Sequence, residues 1–474
     1  MTQAHDPLLP FPQPIPALLP RDGMGHQFVC YADSCSGVPQ AAHASTFATV
    51  NAVVARLQPP PEFICFPGDE IVGLSADHEI LRQQWQYWFV QEMAWLDQAT
   101  IPVYHTTGNH TTYDAASEAV FREVMAHLPQ NGPPDQIGLT YFVRDRDLLL
   151  ICINTLWSGL GGEGWAETSW LDQVLAEHAD ATYKFVVGHH PVHPVNGFSG
   201  AYQRELAHDN GRRLWQILVK HRVFAYLCSH ILAFDVQVHT GILQILTAGA
   251  GTAHRMPEEL EYLHCVQLAL DQQGMRYQVL DTAGHIREWL AWPIVLPSAD
   301  TWPRMAIGAH SAPIFNQYTP DSRVARVIVW QFSGICPSND NGTAQTLLSG
   351  WNAGPLLAPL WIGLRGCELS LSVLLSPVAG RSPHLWQGPQ LTPNAAFSIQ
   401  LALHAGMGPG GILWRWNDTT TWSSLTAASA WGAEQLTWPA EWSIGHAQGG
   451  RADRPFRGSN LIVTWHTQMI ALAQ

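Results

Sequence analysis

The sequence predicts an α/β fold with helices covering a sheet, followed by an all-β sandwich. Up to about residue 235, short apolar runs alternate with longer amphipathic ones, which is the mark of strand, helix, strand repetition. Several of those apolar runs stop on Asp, Asn or His, often beside Gly. From about residue 323 no helical period persists, and short alternating segments are separated by Gly, Pro, Asn and Ser. Such texture belongs to paired strands of a sandwich.

Taken in order, HQFVCYAD, EFICFPGD, IPVYHTTGN, LLLICINT, YKFVVGHH and VFAYLCSH read as buried strands. Helical spacing falls between them at 44–57, 80–99, 116–128, 167–178 and 211–221. After Gly241 come ILQILTAGAGT, HCVQLALDQQGMRYQVLD and HIREWLAW, with turns at Gln273-Gly274 and Ala283-Gly284. A chain of 474 residues exceeds what one core organises. The expected division is a Pro-rich arm over 1–25, an α/β domain over 26–292, a linker over 293–322 and a β domain over 323–474.

Composition excludes several classes of function. A net charge of −14 with only two lysines, Lys184 and Lys220, and scattered arginines repels nucleic acid and anionic membranes. The apolar stretch 355–378 carries Arg365 and Glu368 near its middle, too costly for a spanning helix. No basic n-region opens the chain, and prolines interrupt its first apolar residues, so a soluble, cytoplasmic protein is expected. Eight cysteines without a CxxC pair, several within apolar runs, read as reduced, buried small hydrophobes.

The candidate strands end at Asp33-Ser34-Cys35, Gly68-Asp69-Glu70, Gly108-Asn109-His110, Gly188-His189-His190 and Ser229-His230-Ile231. A single Gly-Asn pair is ordinarily a surface turn. In an open α/β sheet, however, C-terminal strand ends converge on one crevice. Hard oxygens and imidazoles gathered there are ligands suited to Zn, Fe or Mn.

The order and spacing of PGDE, TTGNHTTYD and VVGHHPV resemble the calcineurin-like metallophosphoesterase superfamily over about residues 26–292. That family's pattern runs D-x-H or D-x-G, then GD, GNH, GH and GHxH. TSWLDQVLAEH before YKFVVGHHP, and TAGAGT after the last His motif, are similar to its purple acid phosphatase-like branch. The resemblance implies a four-layer α/β (α+β) sandwich and a two-metal site using water to hydrolyse phosphoric esters. Carried over, Asp69 bridges the ions, Asn109, His189 and His230 complete the second ion's shell, and Asp33 binds the first. His110 protonates or stabilises the leaving oxygen.

Two departures deplete the first metal. Leu232 stands where GHxH has its second histidine, and Cys35 where D-x-H has its own. The alternative tyrosine position is Val72. Cys35 shares a face with Asp33 in an extended chain, so it either ligates as a thiolate or fills space. Asp235 lies at an odd offset from Leu232 and would point away. His190 and His193 read either as phosphate contacts or as solvent-exposed loop histidines. The G-x-G-x-x-G run 159–164 is a decoy, because Trp165 would crowd a pyrophosphate. The elbow-like 197–200 is one residue short of its pattern.

Tryptophans 414, 416, 422, 431, 438, 442 and 465 crowd the C-terminal domain. With GILWRWND, WSIGH and FRGSNLIVTW, residues 390–470 are similar to laminin G or concanavalin A-like jelly-roll sandwiches. The rings would either stack on a glycan or fill the core and the domain interface, the second being favoured. The functional expectation is a hydrolase of small-molecule phosphoesters holding one or two Fe, Zn or Mn ions. The alternative is a degenerate phosphoesterase fold that binds a phosphorylated or glycan ligand.

Overall fold

The computed structural model describes residues 13–40, 43–156, 164–198, 205–251, 261–306, 324–338, 342–351, 360–375, 384–404, 411–429, 441–447 and 454–471. The first twelve residues of the expected arm, most of the 159–164 run, Ser199-Gly200, Trp431 and Trp438 lie outside them.

Two six-stranded sheets form the first half. One has the order Ile286–Trp292, Gly274–Asp281, His264–Asp271, His26–Cys30, Ile64–Phe66, Val103–His105. The other has the order Phe234–His239, Ile242–Thr247, Ala225–Cys228, Tyr183–Val187, Leu148–Cys152, Tyr141–Asp145. His26–Cys30, Ile64–Phe66 and Val103–His105 are parallel neighbours, as are Leu148–Cys152, Tyr183–Val187 and Ala225–Cys228. Parallel strands are covered on both faces and need unbroken apolar runs; FVC, ICF, FVV and YLC supply them. Because the strands run one way, their polar ends share one edge.

The facing sheets merge into one core that includes Phe28, Phe66, Leu150, Val187 and Leu227, joined by Phe47, Trp85 and Phe121 from Ala44–Val54, His78–Tyr87 and Ala115–Val124. Ser169–Glu177 and His208–Lys220 cover the far side of the second sheet through Leu171, Leu214, Ile151 and Tyr226. Four layers result, as the family resemblance implied. Among the described residues no helix is long and apolar enough to cross a membrane.

Two helix starts bear on the site. Asp77 accepts from the amides of Glu79 and Ile80 at 2.8 and 3.3 Å. Asp114, the last residue of TTGNHTTYD, forms a capping box with Ser117 at 2.8 Å in both directions. The helix expected over 80–99 is α-helical only over His78–Tyr87 and then widens to a π turn over Trp88–Glu92. Such bulges redirect side chains near functional sites. Here the turn carries Glu92, which reaches the loop after the first strand.

Two further six-stranded sheets make the C-terminal sandwich. Trp330, Phe332 and Ile399 of one meet Leu347, Leu371, Trp386 and Trp442 of the other in a shared core. Arg304–Ala306, within the expected linker, pairs with Ser459–Ala471, so the sandwich begins earlier than 323. The described part of the stretch rejected as a membrane span is a hairpin of Leu360–Arg365 and Ser370–Leu375 with Glu368 in its turn. Trp414, Trp416 and Trp465 pack on the sandwich core. Trp422 instead joins the α/β core with Val327, Val329 and Leu413.

That tryptophan begins a segment lying along Phe234–His239, an outer strand of the second sheet. Val238 and Thr240 amides donate to Ser424 and Ser423 Oγ at 2.9 and 3.0 Å, and the Gly241 amide to Trp422 O at 2.8 Å. The buried Asn196 carboxamide donates to Leu425 O at 3.0 Å and accepts from Ala427 N at 2.9 Å. No disulfide joins the eight cysteines; seven are buried, and Cys367 is exposed.

Candidate metal centre

The parallel strands end in sharp reversals. Asp33, Cys35, Asp69 and His230 lie at φ of 64°, 41°, 58° and 69°, a left-handed region that costs an L-residue about 1–3 kcal/mol. Neighbouring groups hold them there. The Cys35 amide donates to Asp69 O at 2.8 Å, and Ser34 Oγ to Glu70 O at 2.7 Å. Glu92 accepts from Ser36 Oγ and the Gly37 amide, both at 2.9 Å.

The motif glycines are required by close approach. A Cβ on Gly68, at φ 92°, would come within 2.9 Å of His189 Nδ1, and one on Gly108 would overlap Asp69 Oδ1. Gly108→Ala therefore has to displace the Asp69 carboxylate. The expected result is a loss of about 10–100-fold in metal affinity, read by competition against a chelator.

His189 is the hub. Its Nδ1 lies 2.8 Å from the carbonyl of Pro67, which can only accept, so Nδ1 carries the hydrogen and Nε2 the lone pair. Around Nε2 stand Asn109 Oδ1 at 3.1 Å, His230 Nδ1 at 3.1 Å and Asp69 Oδ2 at 3.2 Å. Oxygens such as Asn109 Oδ1 and Asp69 Oδ2 turned toward a lone pair repel it unless a proton or a cation sits among them. Without a cation the proton has to serve: burial disfavours charge on His189, but the Asp69 carboxylate outweighs it and raises the imidazole to about 9. Burial likewise pushes Asp69 up, yet the facing His189 prevails and holds its carboxyl below the usual range. Burial, with the Asp69 charge adding to it, raises Asp33 to about 7.

Carboxylate, amide oxygen and two imidazoles fit a borderline ion such as Zn, Fe or Mn. Asp69, His189 and His230 offer ligand atoms all within 4.8 Å of one another. A second set, Cys35, Asp69 and His110, meets the same condition. Asp69 belongs to both. Asp33 belongs to neither; its Oδ2 accepts from the His230 amide at 3.2 Å. His110 donates its amide to Asp69 Oδ1 at 2.8 Å, and its Nδ1 lies 2.7 Å from Val72 O.

The remaining candidates sit elsewhere. His190 is buried, with Nδ1 2.9 Å from Thr155 Oγ1 and its ring 4.4 Å from that of His230. Gly164 packs on it, since a Cβ there would meet His190 Cγ at 2.6 Å. His193 stacks on His239 at 3.6 Å, and burial lowers it to about 4. Neither is a solvent-exposed loop histidine. Asp235 is buried against Gln237, and burial raises it to about 7.

Behind Asp69 lies a pair whose meaning was not legible in the sequence. Glu70 Oε1 is 2.7 Å from His105 Nδ1, both residues fully buried. Burial pushes the Glu70 carboxyl well up and His105 down to about 3. The shared proton therefore rests on Glu70, which donates to a neutral imidazole. Glu70→Gln keeps a donor and is expected to cost less than Glu70→Ala, which leaves His105 unpaired at about 1–3 kcal/mol. Urea unfolding of the two variants reads the difference.

Residues 27–234 match the calcineurin-like phosphoesterase family. The calcineurin-like phosphoesterase fold thus accounts for the first half, and the family is one of hydrolases acting on phosphoesters. Among solved structures, the purple acid phosphatase PPD1 from yellow lupin (Lupinus luteus) seeds is 12% identical at a TM-score of 0.43, covering 56% of this chain and 53% of its own. The chain therefore spans about half the length of that enzyme. A dimetal phosphatase from Danio rerio is 15% identical at 0.41, covering 54% and 96%. The CBM40 of a Ruminococcus gnavus IT-sialidase, bound to α2,3-sialyllactose, is 15% identical at 0.23, covering 30% and 75%. No curated protein matches the chain.

Proposed function

We propose that this phosphoesterase-fold chain is a metal-dependent hydrolase of small-molecule phosphoric esters, with one ion held by Asp69, Asn109, His189 and His230. The observation that carries the reading is the convergence of two oxygens and a second imidazole on His189 Nε2. A protonated His189 fills the centre of this cluster in the apo protein, and a cation would take the same place, as expected of a metal site. When bound, the ions supply Lewis-acid polarisation of phosphoryl oxygens and make water acidic enough to attack near neutral pH.

The chain's own residues fix the geometry around that chemistry. Pro67 O holds the His189 tautomer, and the His110 amide orients Asp69 through Oδ1. Asp33 braces the His230 backbone through its amide. Since Val72 O engages Nδ1 of His110, any proton this residue passes to a leaving oxygen comes from Nε2.

Leu232, standing where the family pattern has a histidine, favours a second reading in which the fold binds a phosphorylated ligand without turnover. Elemental analysis of the full chain, with turnover of aryl phosphate monoesters and diesters under added Zn2+, Fe2+ or Mn2+, separates the two. Bound metal with turnover of either ester supports hydrolysis. Metal without turnover favours the binding protein, and a chain that takes up no metal overturns the proposal.

A further inference from the structure

Resting on the metal-dependent reading above, we propose that Cys35, Asp69 and His110 form a second ion site of sulfur, oxygen and nitrogen ligands. The site replaces the histidine absent at Leu232 from another part of the chain. Under this assignment His110 is a ligand, not a proton donor.

Three observations point there. First, Cys35 Sγ, a carboxylate oxygen of Asp69 and a ring nitrogen of His110 lie within 4.8 Å of one another. Tetrahedral ligand bonds of about 2.0–2.3 Å put atoms on one ion about 3.3–3.8 Å apart, so the three side chains have to draw together by up to about 1.5 Å to close the shell. Second, the His110 ring is already set for ligation. The Val72 carbonyl, at 2.7 Å, accepts the Nδ1 hydrogen, which leaves the lone pair on Nε2. A carbonyl behind a ligating imidazole is the usual outer support of a metal-bound histidine.

Third, the cysteine is held where a space-filling residue would not need to be. Its backbone sits at φ 41° and is tied to Asp69 O at 2.8 Å. The loop that carries it is bound to Glu70 through Ser34 and to Glu92 through Ser36 and Gly37. Only 5% of its surface is exposed, so solvent competes little for the thiolate. Asp69 then serves both ions, with Oδ2 toward His189 and Oδ1 beside His110. Ligand chemistry sets the preference: a thiolate with imidazole and carboxylate selects Zn2+, Co2+ or Fe over Mg2+.

The test uses the full chain loaded with Co2+. The expected result is two ions per chain and a near-ultraviolet thiolate-to-cobalt absorption band. Cys35→Ser is expected to lose the band and one ion, and His110→Ala to lose one ion, each keeping the other. X-ray absorption on the unmutated Zn2+-loaded protein requires no variant to fold and should show one sulfur at about 2.3 Å. Two ions without a sulfur neighbour, or two ions retained in both variants, would overturn this site while leaving the hydrolase reading intact. One ion in the parent chain, unaffected by Cys35→Ser, overturns it equally. Uptake of no ion at all sinks the proposed function itself, and this site with it.

Discussion

Asp69→Asn is expected to stop turnover while leaving the protein folded. The carboxylate is 2% exposed, with Oδ2 3.2 Å from His189 Nε2 and Oδ1 accepting the His110 amide at 2.8 Å. Replacing one oxygen by NH2 forces a choice. Either the new donor meets the His110 N–H, or it turns to the His189 lone pair and occupies the direction a cation would take. Loss of the ion removes several kcal/mol of charge stabilisation in the transition state. A drop in kcat of at least about a thousandfold follows, since each 1.36 kcal/mol is about tenfold. The apo variant also loses the ion pair between Asp69 and the raised His189 imidazole, so its melting temperature should fall below that of the metal-free parent. Retention of both metal and turnover would refute the placing of Asp69 at the centre.

Cutting the chain before the sandwich should destabilise the α/β domain, although no described catalytic candidate is removed. Trp422, 2% exposed, is part of the α/β core; its truncation to alanine is expected to cost about 3–5 kcal/mol. Asn196→Ala strands Leu425 O and Ala427 N, at about 1–3 kcal/mol each if they stay buried. Urea unfolding of the full-length variants, followed by metal content, reads both. The loops bearing His189 and His230 lead into Asn196 and Phe234–His239, so metal affinity should fall along with stability. An isolated 26–292 fragment as stable as the whole chain would show that the contact is incidental.

Much of this was legible because backbone and side chains agreed locally. Runs such as FICF and KFVV can only be doubly buried strands, and polar residues following them have to emerge at the sheet edge. The alliance of Cys35 with His110 was not legible. Seventy-five positions separate them, and a cysteine in an apolar context ordinarily fills space. Left-handed φ at Asp33, Asp69 and His230 was equally hidden, because no propensity marks a conformation imposed by tertiary bonds. The Tyr141–Asp145 strand escaped notice because only Tyr141 of it is fully buried, giving little period to read. In the sandwich, Arg365 and Glu368 excluded a membrane span, but that the chain turns back there depended on pairing across 366–369. Trp422 looked like any other tryptophan of its cluster; only the docked partner strand distinguishes it.

The bonds from Ser423 and Ser424 to Thr240 and Val238 have a consequence for biosynthesis. An uncovered sheet margin is a template for adhesion between nascent chains, and this one is shielded by a segment made much later. At about 5–20 residues per second, the ribosome leaves that margin bare for roughly 10–40 s. The order of manufacture thus gives molecular chaperones a window on the α/β half that a swapped domain order would close.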